Sequence, residues 1–264
     1  MNSSTTDSVT SGIDDLLVRM DTIGERLATV GDARRYFHAT YTRTTRAVRD
    51  EILAGGFEDG PWVALWDVAF AGRYLDSLEA WERTGEAPGP WQVAFATATQ
   101  EPADGARTIP PLEHVLLGMN AHINFDLAPA LLDVITPAEF ADSVLLAKRG
   151  RDHGHIDSVL AGRVAAEDVE LRAVEAPGTR TLVDRVLQPF NRLGTKRFLR
   201  ESRRKVWHNA HALDAARREG AASYAALLAT LEECARAKVA DLRGSRWVIL
   251  ELARRGFGVQ LPQR

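Results

Sequence analysis

Glu113-His114-Val115-Leu116-Leu117-Gly118-Met119-Asn120-Ala121-His122-Ile123-Asn124-Phe125-Asp126-Leu127-Ala128-Pro129 decides the fold. The stretch has helical character and is apolar nearly all the way round, yet it carries two His, two Asn and an Asp. A helix apolar on every side belongs in the middle of a protein. Polar groups buried there require partners or a purpose. His122 and Asp126, four apart, share one face; Asn120 and Asn124 form a second such pair on another; His114 points elsewhere again. One helix thus offers polar groups in more directions than a single pocket needs, so some of them are structural. Pro129 lacks a donor and clashes with the carbonyl of Phe125, so the helix is expected to kink or end near Asp126, freeing carbonyls beside that carboxylate. In the plainer reading Asp126 caps the following segment.

Outward from this helix the periodicity is also helical, and strand signals are almost absent. Ile13, Leu16, Leu17, Met20, Ile23, Leu27 and Val30 recur at three- and four-residue intervals. A second helix runs to about Ala54 with Phe37, Tyr41, Thr44, Val48 and Ile52 on one side, which leaves His38 off the stripe and partly exposed. Pro61 suits the first position of a third helix, whose face of Trp62, Trp66, Ala69 and Phe70 also contains Arg73. That guanidinium stacks on an indole, snorkels to the surface, or lies buried against a carboxylate. Tyr74 and Asp67 share a neighbouring face and could serve the same pocket.

Further on, a short helix from Trp91 to about Thr99 precedes a polar loop, and Ile109-Pro110-Pro111 opens the central helix. Thr136, Pro137 and Glu139 form the start signal of the next. Arg149 to His155 reads as a break or bend, Pro177-Gly178-Thr179 as a turn, and Gly194 as a possible interruption before the helical Arg197–Glu219. Gly220 is a stop, and Leu227 to Leu242 and Trp247 to Ala253 are the last helices. The polar residues 1–11 read as a disordered tail. Residues 12–264 then form a single all-α domain of about eight helices around the central buried one, with no linker and no internal repeat.

Composition narrows the function classes. Of 264 residues 45% are apolar and 26% charged, with a net charge of −3, so no basic field argues for nucleic acid. The single cysteine, Cys234, rules out an internal disulfide and a multi-cysteine zinc site. Neither a signal peptide nor an uninterrupted apolar run near the roughly 20 residues of a membrane span is read from the chain, which predicts a cytoplasmic protein. There is no Gly-x-Ser-x-Gly elbow, no phosphate loop and no dinucleotide fingerprint.

His and Asp at four-residue spacing can act as an acid–base with its orienting carboxylate, or contribute to a metal site. A metal requires further ligands, and His153 or His155 would be the suppliers. His208 and His211 face away from their helix's apolar side, whereas Arg203 lies nearer to it and is a second candidate for a buried polar network.

The run Leu116-Leu117-Gly118-Met119-Asn120-Ala121-His122-Ile123-Asn124-Phe125-Asp126-Leu127 resembles the signature of a bacterial and fungal family known only as a domain of unknown function. Ala69 to Leu75, Trp91, Asp152 and Arg203 to Trp207 are also similar to its motifs, and the resemblance covers most of residues 30–215. It implies a helical fold and no established activity. A weaker similarity is to zinc-dependent phospholipase C and related nucleases, which use a His-x-x-x-Asp motif followed by Pro and another His; here the proline is displaced and that His is missing.

The leading expectation is an enzyme acting on a small, largely apolar metabolite in a pocket of a helical domain. His122 would be the acid–base, Asp126 its orienter and Arg73 an electrostatic partner; Asn120, Asn124, Tyr74, Trp66 and Arg203 would bind substrate. No cofactor is predicted, and a divalent metal such as zinc stays open. The first alternative is a metal-dependent hydrolase using His122, Asp126 and His153. The second is a non-enzymatic ligand-binding or scaffold protein whose polar cluster fixes helix register. The expected partner is a small-molecule ligand, without nucleic acid or a membrane span.

Overall fold

A computed structural model of the chain describes residues 3–99, 109–174, 188–243 and 258–262. Every regular element among the described residues is helical. Helices α1 (Ser3–Thr29), α2 (Arg35–Leu53) and α3 (Gly60–Thr84) pack on one another, joined by tight turns. Asp59 caps α3 by accepting from the Trp62 backbone N–H, with Pro61 in the first turn, and Gly85 closes it at φ 73°. The short α4 (Gly89–Thr99) follows.

The central rod comes next. Helix α5 (Pro111–Ala121) passes into a π-helical turn, His122–Asp126, and then into α6 (Leu127–Val134). The widened turn sits where Pro129 demands it. It puts the proline in the first turn of α6, where its missing N–H costs little, and relieves the clash with the Phe125 carbonyl. The expected kink is therefore a π-turn rather than a stop. Asp126 occupies the N-cap position of α6 but makes no side-chain cap bond, so the capping reading fails.

Continuity across the turn makes Pro111–Val134 a 24-residue helix, long and apolar enough by composition to cross a membrane. The sequence reading, which counted uninterrupted apolar residues, gave no such segment. Within the fold, 83% of its apolar window is buried. Neighbouring helices supply that cover: α2 and α4 against α5, and α3 against α6. Gly118 lets α2 approach, because a Cβ there would collide with the Phe37 ring.

Helix α7 (Pro137–Ala141) opens on Thr136 and Glu139, the N-cap and first-turn acid expected from the sequence, which the structure joins as a capping box. Helices α8 (Ser143–Val174), α9 (Gln188–Glu219) and α10 (Ala221–Arg243) complete the described fold, with α9 packed on α6 and α10 on α4 and α5. Gly220, at φ 138°, separates the last two.

Several expectations change. Helix α1 starts at Ser3, so residues 3–11 are helical rather than a disordered tail. Helix α8 runs unbroken through Arg149–His155 and α9 through Gly194, so neither expected break occurs. The turn at Pro177–Thr179 and the helix at Trp247–Ala253 lie outside the described residues. His38 is buried, with Nδ1 2.9 Å from the Tyr74 hydroxyl and Nε2 2.7 Å from the Met20 carbonyl.

Candidate functional site

The π-turn aims His122 and Asp126 at each other. Nδ1 of His122 lies 2.9 Å from Oδ2 of Asp126, both side chains being 2% exposed. The Trp91 indole N–H, from α4, donates to the same Oδ2 at 2.8 Å. An indole N–H can only donate, which marks that oxygen as an acceptor. With Asp126 as a carboxylate, the proton between it and the imidazole belongs to Nδ1, and Nε2 carries the lone pair.

That lone pair has no partner. Nε2 of His122 is buried without a hydrogen bond. Burial pushes the imidazole below its ordinary pKa, and Asp126 offsets only part of the shift, so the ring is neutral near pH 7. Aromatic side chains lock it: Phe70 stacks on it at 3.6 Å between centroids and 4° between planes, and Tyr41 meets it edge-on at 4.5 Å.

His122 lines a cavity of about 80 Å³ between α2, α3, the central rod, α8 and α9. The walls are largely apolar, from Phe37, Val48, Phe70, Met119, Ile123, Leu127, Ile156 and Leu160. Trp66, Asp67 and Arg203 are set into them. Oδ2 of Asp67 and Nε1 of Trp66 are buried without hydrogen-bond partners. Burial in this apolar wall pushes the Asp67 carboxyl up to about 7. Arg203 is brought down to about 10 by burial, with Asp157 opposing. Its charge is balanced by Asp157 at 2.6 Å, and one Nη donates to the His153 carbonyl at 3.0 Å.

The structure thus brings together His122, Asp126, Trp66 and Arg203 from the sequence-predicted set; Asp67 lines the same cavity, but without the Tyr74 and Arg73 expected to share its pocket. Arg73 is elsewhere. It makes a bidentate pair with Asp133 of α6 at 2.7–2.9 Å, with side chains 30% and 44% exposed, and does not line the cavity. The electrostatic role expected of it has no geometry behind it.

Tyr74 bonds His38 and packs on Trp91 behind the His122 ring rather than in the cavity. Asn120 and Asn124 do not face the cavity either. Asn120 donates to the Leu116 carbonyl and accepts from the Asn124 amide; Asn124 accepts from the Val259 N–H, so the pair ties down the segment 258–262. His153 is buried between Trp66 and Trp207, and His155 lies 2.6 Å from Glu51. Among the described residues no three His, Cys, Asp or Glu side chains converge as a metal-binding group, so the set His122, Asp126 and His153 is not assembled.

Trp91 was missed as a partner of Asp126. A buried indole at the head of a helix demands an acceptor, but nothing in the spacing of Trp91 and Asp126 names which one.

Fold and site together define an all-helical protein in which a buried, hydrogen-bonded His–Asp pair lies at the wall of a largely apolar cavity, with Nε2 of His122 left unpartnered. The chain belongs to a family of unknown function, DUF5995, whose model matches residues 13–243. No curated protein and no solved structure matches it.

Proposed function

We propose that this protein is an enzyme that moves a proton on a small, largely apolar metabolite held in the cavity. His122 is the acid–base and Asp126 its orienting partner. The observation that carries the reading is the unpartnered Nε2 of a neutral His122 at the wall of that cavity. A buried nitrogen left without a hydrogen bond costs about 1–3 kcal/mol, and the protein tolerates that cost beside an open space. In the reaction Nε2 takes a proton from the ligand. The resulting imidazolium keeps its Nδ1–H on the Asp126 carboxylate, which balances the new charge, and the proton is then returned to another atom of the ligand.

Small-molecule extract incubated in D2O with wild-type protein, or with His122→Gln, tests this. Compounds that change in identity or deuterium content only with the wild type are expected. Identical extracts from the two chains would contradict the reading.

A further inference from the structure

Resting on that reading, we infer that Asp67 is the ligand-recognising acid of the same cavity, and that the ligand is an uncharged, compact molecule bearing a carbonyl-type oxygen. Asp67 is 8% exposed and its Oδ2 has no partner. It reaches the cavity from α3, whereas His122 reaches it from the π-turn. Trp66, one residue earlier and 3% exposed, lines the same cavity, and its indole N–H is equally unpartnered.

A protonated carboxyl and an indole are both donors, and a carbonyl oxygen has two lone pairs to receive them. An ionised ligand fits less well. The walls are largely apolar, and the one guanidinium that lines them, Arg203, has its charge balanced by Asp157, 2.6 Å from an Nε that makes no hydrogen bond, and donates one Nη–H to the His153 carbonyl. A ligand carboxylate would share a cation whose charge Asp157 already balances, and lie in a cavity with a second acid. The volume, about 80 Å³ of space for water-sized spheres, suits roughly five to eight non-hydrogen atoms.

The groups facing Asp67 across the cavity are Tyr41 of α2, whose hydroxyl stays protonated through burial and through Asp67 and Asp126, the neutral His122, and the Arg203–Asp157 pair of α9 and α8. With the carboxyl's own pKa near 7, deprotonation of Asp67 is what changes the donor count of the wall around neutral pH.

Binding of cyclohexanone, cyclopentanecarboxylate and cyclohexylammonium, measured by calorimetry between pH 5.5 and 8.5, tests the inference. Cyclohexanone is expected to bind at least about tenfold more tightly than either ion at pH 5.5, and to weaken about tenfold as pH rises through 7. Asp67→Asn, which keeps a donor that cannot ionise, should hold the ketone affinity level across that range. Asp67→Leu should lose it, and Arg73→Ala should match the wild type throughout. Tighter binding of the carboxylate, or a ketone profile that Asp67→Asn leaves unchanged, overturns the inference. If that happens while His122→Gln still abolishes deuterium exchange, the assignment of Asp67 falls and the proton-transfer reading stands. Loss of the His122 dependence alone removes the reading beneath it.

Discussion

The two sides of the central rod handle buried polar groups in opposite ways. On one side Asn120 and Asn124 bond each other, a helix carbonyl and the backbone of Val259, and Asn209 of α9 completes the grip by bonding Val259 O and Leu261 N. These amides hold the segment 258–262 in place. On the other side Trp66 Nε1, Asp67 Oδ2 and His122 Nε2 are equally buried and have nothing to bond. The same helix supplies both sides, so hydrophobicity does not distinguish them. The difference is whether polar atoms find protein partners or are left unpaired at the wall of a cavity: the first arrangement stabilises, and the second gives up stability for a site.

Substitutions separate the two. The largest effect is expected at Asp126, which holds the His122 ring and the Trp91 indole on one oxygen. Asp126→Ala leaves the Trp91 and His122 donors buried without an acceptor, a loss of about 2–5 kcal/mol. Thermal unfolding should fall by roughly 5–15 °C. Asp126→Asn keeps an acceptor for Trp91, so most of the fold should survive while deuterium exchange drops by about 10²–10⁴-fold.

Next comes Gly118→Ala. Its new methyl meets the Phe37 ring, which also walls the cavity, and overpacking of this kind costs about 1–3 kcal/mol. Calorimetry should show weaker ketone binding together with a lower melting temperature. Asn209→Ala sharpens the contrast from the other side. It strands Val259 O and Leu261 N, costing about 1–3 kcal/mol, with ketone affinity unchanged.

Acidity gives a fourth test. Asp67 holds its proton more tightly folded than unfolded, 3.8 going to about 7. Its contribution to stability is intact below about pH 4, is lost between 4 and 7 by at most ~4 kcal/mol, and is level above. Asp67→Asn should therefore raise stability at pH 8 relative to the wild type and not at pH 4, as denaturant titrations at both pH values would show. The imidazoles of His38, His114, His122, His153 and His211 slope the other way. Burial holds each below 6.5, so their contribution is full above that pH and is lost as pH falls through it. The smallest effect belongs to Arg73→Ala, which removes a half-exposed ion pair worth about 0–1 kcal/mol.

Much of this was legible in the sequence, because helical periodicity and an all-apolar helix leave few architectures open. The His122/Asp126 pair was legible for the same reason, four-residue spacing being fixed by helix geometry, and Pro129 marked the place of the π-turn. What the sequence did not carry was pairing between helices. Arg73 shares the tryptophan stripe of α3, but its partner is Asp133 at the surface, and no spacing rule relates two residues on separate helices. His38 looked exposed because it lies off its own helix's stripe, yet Met20 and Tyr74 come to it from two others. Asp67 could be placed on a face with Tyr74, whereas its lack of a partner depends on every neighbouring helix at once.

The most direct test of the division between the two sides is ¹⁵N NMR of the His122 ring. We expect a neutral imidazole with its proton on Nδ1 and a bare Nε2 at pH 7, whose resonance moves when cyclohexanone is added. A ring protonated on Nε2, or an Nε2 signal indifferent to the ketone while its affinity is measurable, would contradict an open site on that side of the rod.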